Sequence, residues 1–193
     1  MPAHSLSPDQ RTELEAHVLA LASGKSLDEW RISDLVATSG VSSRTLYKYY
    51  PTKEYLLLWA AAQRVQRALG PISEVAMDRG RTAQLRVVLV LQGITRVLTD
   101  PATSGGPVMM HALTCGQEAV RPLLGEFVDT ITGRVARALA GEREPVAPEA
   151  AQAQVIAQVW FAAVVTWAAG VRAEGHIEES VAGALRLLPI GRS

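Results

Sequence analysis

"GVSSRTLYKYYPTKEYLL", residues 40–57, mixes tyrosines, small hydroxyls, an arginine and two lysines in a chain otherwise rich in Ala, Val and Leu. Its order is informative. Gly40 accepts the left-handed backbone that ends a helix. Val41 can plug the corner, and Ser42 is a good N-cap for the next helix. Pro51 then stops that helix, because proline disfavours helical geometry in the residue before it. Upstream, Ile32, Leu35 and Val36 share one apolar face over about 32–38. Two short helices joined by a tight glycine-containing turn make a helix-turn-helix.

The second of these helices, about 42–49, sorts by angle at about 100° per residue. Ser43, Arg44, Tyr47 and Lys48 fall within one arc, and Leu46 and Tyr49 lie roughly opposite. The outward arc suits a DNA major groove. Arginine can fork onto the N7 and O6 acceptors of guanine. Hydroxyls and lysines can hold phosphates and set register. Lys53 sits where the next helix opens, at a positive helix terminus that seats a phosphate. From Gly40 to Lys53 there are cations at Arg44, Lys48 and Lys53 and no acidic residue, although the whole chain carries 19 basic and 19 acidic residues. The pull toward nucleic acid is therefore local, not global.

Outward from this segment, nearly every periodic stretch reads as helix and none as a convincing strand. The fold class is all-α: a three-helix N-terminal domain with the helix-turn-helix, over 1–52, and a larger helical C-terminal domain over 53–193. A first helix is expected over about 8–23, with Leu14, Val18 and Leu21 on one face. A fourth, over about 53–69, connects the two domains, and Gly70-Pro71 reads as a break. Further helices are expected over about 81–99, 107–115, 117–140, 148–173 and 176–188. No apolar run reaches the roughly 18–20 residues of a membrane helix. With no visible secretory signal and the single Cys115, a cytoplasmic chain without disulfides is expected.

The stretch "ISDLVATSGVSSRTLYKYYPTKEYLL" resembles the N-terminal domain of TetR-family transcriptional regulators, whose pattern runs close to I-A-x-x-A-G-V-S-x-x-T-L-Y-x-Y-F-x-S-K-x-x-L-L. The matches are Gly40, Val41, Ser42, Thr45, Leu46, Tyr47, Tyr49, Lys53, Leu56 and Leu57. Tyr50 stands where the family has Phe, Thr52 where it has Ser, and Arg31 where it often has a capping Thr. Up to the first turn of the first helix only His4 and Arg11 are basic, which predicts weak non-specific DNA binding and a shallow salt dependence. The resemblance implies that Ser43, Arg44 and Tyr47 face bases, that Thr45 and Lys48 meet bases or phosphates, and that Ser42, Tyr49 and Lys53 hold the backbone.

It also implies a homodimer and an effector pocket in the C-terminal domain. The implied dimer residues, on the last two helices, are Val155, Val159, Ile177, Val181, Ala184, Leu185 and Leu188. The implied pocket residues are Leu91, Met109, Met110, Leu113, Phe127, Trp160, Val164 and Trp167. Methionines adapt to irregular apolar ligands, and tryptophans offer flat walls. "VIAQVWFAAVVTWAAG" and "ALRLLPIG" resemble the KstR-type branch of the family, which points to a large hydrophobic effector such as a lipid, steroid or acyl-CoA-type compound.

No catalytic constellation, metal set or cofactor motif stands out. His111 and Cys115 are four apart, but a buried apolar cysteine explains the second better than a nucleophile pair does. His4, His17, His111 and His176 are scattered. Two functions remain. One is a dimeric, sequence-specific DNA-binding repressor released by a hydrophobic effector. The other is an all-helical small-molecule-binding protein without functional DNA binding, favoured only by the neutral N-terminal domain and sparse basic arm.

Overall fold

The computed structural model describes residues 6–24, 29, 31–78, 80–100 and 114–190. Eight α-helices are found among the described residues, and no strands. They are α1 (Pro8–Gly24), α2 (Ile32–Ser39), α3 (Ser43–Tyr49), α4 (Lys53–Ala76), α5 (Ala83–Thr99), α6 (Val120–Ala140), α7 (Ala147–Ala168) and α8 (Gly175–Leu187).

The first four helices start on local caps. Ser7 Oγ accepts from the Gln10 N–H, and Gln10 Oε1 accepts from the Ser7 N–H, a reciprocal box that opens α1. Arg31 lacks a capping hydroxyl, but its backbone N–H donates to Asp34 Oδ2 at 3.2 Å, so α2 still has a defined start. Ser42 Oγ and Thr52 Oγ1 accept from the Thr45 and Tyr55 N–H groups and open α3 and α4. Gly40 takes the left-handed conformation (φ 66°) and its N–H returns to the Val36 carbonyl.

Two apolar cores result. The first gathers Leu14 and Val18 of α1, Leu35 of α2, Leu46 of α3, and Leu56, Leu57 and Ala60 of α4. The second holds the rest of α4 together with α5 to α8. α4 belongs to both. Glu15 of α1, almost fully buried, forms a bidentate ion pair with Arg67 of α4, which ties α1 to the connecting helix.

The fourth helix does not end near Leu69. It continues through Gly70-Pro71 to Ala76. An internal proline forgoes one helical hydrogen bond. Here the continuation buries Ala76 completely and seats Ile72 against α5 at Gly93. A Cβ at Gly93 would lie 2.8 Å from Ile72 Cγ1, so only glycine admits this approach. The helix expected over 107–115 lies almost wholly outside the described residues. α7 ends at Ala168, short of the expected 173, because Gly170 turns the chain at φ 70°. By length and composition α7 is apolar enough to cross a membrane, contrary to the expectation that no apolar run is long enough. In this fold Ala153, Ile156, Trp160 and Val164 bury one side of it in the second core.

Candidate nucleic-acid interface and ligand cavity

The exposed face of α3 is the one the angular reading picks out. Ser42, Ser43, Arg44, Tyr47 and Lys48 are exposed, and Tyr47 keeps 56% of its surface although it is a large aromatic. Leu46 is 1% exposed and pins the helix to the first core. Thr45 is half-buried, and its Oγ1 lies 2.9 Å from Ser42 Oγ, so these two hydroxyls are first of all parts of the cap. Tyr49 is half-buried against the core, with the Lys48 ammonium 5.0 Å above its ring. Lys53 is half-buried at the first residue of α4, whose opening Thr52 caps.

Tyr50 was not singled out by its sequence, yet it holds the corner between α3 and α4. It is buried, and its ring centroid lies 4.7 Å from Trp59 and 6.3 Å from Tyr55. Burial pushes its phenol up to about 12, against a smaller opposing pull from the Arg11 cation. The available signal was an aromatic at the helix end directly before Pro51.

In the second core a cavity of about 200 Å³ opens between α5, α7 and α8. Leu91 and Trp160 line it, as the sequence reading of the pocket proposes. Val88, Gln92, Thr95, Glu178 and Ala182 also line it and were missed. Phe127 and Val164 instead border a gap of only about 10 Å³ facing α4, with Leu58, Ala61 and the other side of Trp160. Trp167 packs on the core without lining either space. Met109, Met110 and Leu113 lie outside the described residues, as does His111 of the His–Cys pair. Among the described residues, no three His, Cys, Asp or Glu side chains gather as a metal site.

No family model matches the chain. Its sequence is 28% identical over 166 residues to the HTH-type transcriptional repressor KstR of Rhodococcus jostii (strain RHA1), covering 82% of this chain and 73% of that protein. A TetR transcriptional regulator from Rhodococcus sp. RHA1 superposes with a TM-score of 0.74 at 22% identity, over 96% of this chain and 98% of that one. The chain has the fold and the helix-turn-helix of TetR-family regulators. Thermus thermophilus FadR, a TetR-family repressor solved with lauroyl-CoA, shares the fold at a TM-score of 0.70 and 18% identity, over 95% of each chain.

In this TetR-type fold the apolar stripe of α8 needs a correction. Ile177 and Val181 line the cavity, and Leu185 is buried in the same core, so these side chains cover the subunit's own interior. Ala184 is buried as well, and Leu188 packs partly against the core. Of the seven residues expected to meet a partner, Val155 is the exposed one and Val159 is half-buried. The periodicity of α8 shows which side is apolar, and in this subunit that side is covered by α7 and, to a lesser extent, α5.

Proposed function

We propose that the protein is a homodimeric, sequence-specific transcriptional repressor that leaves its operator when a hydrophobic small molecule enters the C-terminal domain. The carrying observation is the face of α3. Arg44, Tyr47 and Lys48 stand exposed on one side of a short helix whose other side is locked by Leu46. A rigid helix with exposed donors and no exposed acid on that face is built for a groove. Similarity to the KstR repressor supports the repressor sign, and the lauroyl-CoA complex of a shared fold supports an apolar ligand site. The activity proposed is binding, in the cytoplasm, with no catalytic step.

Dimerisation is supported by the outward side of α7. Ala151, Gln154, Val155, Gln158 and Ala162 are exposed, and no charged residue occurs between Glu149 and Arg172. A second copy covering this uncharged strip would place two α3 helices for two half-sites.

Selection of duplexes from a random pool, scored by gel shift, tests the reading. Arg44→Ala should relax preference at one base pair of each half-site, at about 1–3 kcal/mol. Lys53→Ala should weaken all duplexes alike and reduce the salt slope by about 1. A pool that never enriches sinks the regulator reading, and a changed preferred sequence in Lys53→Ala reverses the assigned roles.

A further inference from the structure

We infer that the cavity between α5, α7 and α8 takes a compact, uncharged, apolar molecule, of the size of a benzene ring with a short alkyl chain; the inference rests on the ligand-responsive reading above and narrows its ligand class. Size sets the first limit. A cavity of about 150 Å³ lined by aliphatic and aromatic side chains holds benzene, and this one is about 200 Å³. Drug-sized ligands occupy roughly 300–1,000 Å³. A steroid nucleus or an acyl-CoA exceeds this space and would have to extend out through its mouth.

Polarity sets the second. The walls are Val88, Leu91, Ile177 and Val181. Among the described lining residues, the two buried polar groups satisfy each other: Trp160 Nε1–H donates to Thr95 Oγ1 at 2.9 Å. Nothing in that pair asks for a polar ligand. At the mouth, Gln92 Nε2–H donates to Glu178 Oε1 at 3.2 Å. Glu178 is the charged residue lining the cavity among those described, and its carboxylate opposes an anionic head group.

The same residues govern access and readout. α5 and α8 are stitched by side chains at separate levels: Gln84 to the Leu185 carbonyl, Gln92 to Glu178, and Thr99 to Glu174. Side-chain bonds between exposed or half-buried partners are individually weak, so this seam is a feasible entry. Trp160 then forms the wall between the cavity and the gap of about 10 Å³ beside Leu58 and Ala61 of α4. That gap leaves no slack. A ligand that displaces the indole presses on α4, which carries Leu57 and Ala60 into the first core.

The test is calorimetric titration of the full-length protein, without DNA, using n-butylbenzene, 4-phenylbutyrate and lauroyl-CoA. Saturable n-butylbenzene binding is expected, about tenfold or more tighter than the anion of similar size, with a change in tryptophan fluorescence. Ala182→Phe, at a half-buried rim position, should weaken it about tenfold or more, and Val88→Phe does the same if the first variant melts early. Glu178→Gln should bring 4-phenylbutyrate to within about threefold of n-butylbenzene. Absence of n-butylbenzene binding, tighter binding of lauroyl-CoA or 4-phenylbutyrate, or insensitivity to both phenylalanine variants overturns the inference. Failure of the regulator reading shows separately, as a ligand-free protein that shifts no selected duplex.

Discussion

The two cores of this molecule are tied down in different ways. In the first, helix ends are fixed by side chains three residues away: Gln10 on Ser7, Asp34 on Arg31, Ser42 on Thr45 and Thr52 on Tyr55. In the second, α5 and α7 also open on local caps, Thr82 on Leu85 and Glu149 on Val146, but further fixed points span long stretches of chain. Arg86 of α5 donates from Nε to the Ala138 carbonyl at 2.7 Å and from Nη2 to the Leu139 carbonyl at 3.2 Å, closing the end of α6. It also donates to the Arg81 carbonyl. Trp160 reaches Thr95, and Gln84 reaches the Leu185 carbonyl. A locally capped unit is defined by its own sequence. A unit closed by distant partners is defined only once it has folded.

The largest expected effect tests the distant kind. Arg86→Met keeps the apolar stem and removes the donors to three carbonyls. Leaving partly buried acceptors at the end of α6 without a partner costs on the order of 3 kcal/mol. Because Arg86 joins α5 to α6, the whole C-terminal unit should lose stability together. Thermal unfolding followed by far-ultraviolet circular dichroism checks this. A loss confined to α6, seen by hydrogen exchange with an unchanged melting point, would break the contrast between the two cores.

The same difference explains what was legible in the sequence. Gly40, Ser42 and Pro51 act on their own neighbours, so α2, α3 and the exposed arc of Arg44, Tyr47 and Lys48 were readable to within a residue or so. α2 even starts where expected without the family's capping threonine, because Asp34 reaches back to the Arg31 N–H. The run of α4 through Gly70-Pro71 was not readable, since it depends on Gly93, 21 residues beyond Ile72 in the chain, leaving space for that side chain. The stripe of Ile177, Val181 and Leu185 was read as apolar and expected to meet a partner, whereas within the subunit it packs into the second core. Periodicity identifies a buried side; it does not say whether the same subunit or a second one does the burying. The ligand set divided for the same reason. Leu91 and Trp160 face the open cavity, while Phe127 and Val164 face the closed gap.

A smaller effect tests the local kind. Ser42→Ala removes the acceptor for the Thr45 N–H and the partner of the Thr45 hydroxyl. Loss of such an N-cap costs about 1 kcal/mol. The cost should stay within the helix-turn-helix. Amides of α3 should exchange faster while the C-terminal unit melts as before, and DNA affinity should fall with the order of preferred duplexes unchanged. A lowered melting point for α5 to α8 would show that the cap is not local after all.

The smallest effect at neutral pH lies at the joint between α3 and α4. Tyr50 is buried against Trp59 and Tyr55, and burial holds its phenol up to about 12, above its ordinary 10. Proton counting gives the sign. Between about pH 10 and 12 the unfolded chain loses this proton while the folded chain keeps it, so stability falls as pH rises through that window. Below pH 10 both states are protonated and the contribution is fully present. Tyr50→Phe keeps the ring packing and removes the titrating group. It should match the parent within about 1 kcal/mol at pH 7 and become the more stable of the two as pH climbs past 10. Denaturant unfolding monitored by tryptophan fluorescence at pH 7 and at pH 11 compares them. Equal alkaline losses in both proteins would mean that Tyr50 meets solvent freely enough to ionise when folded, and that the corner beside Pro51 is looser than its aromatic packing implies.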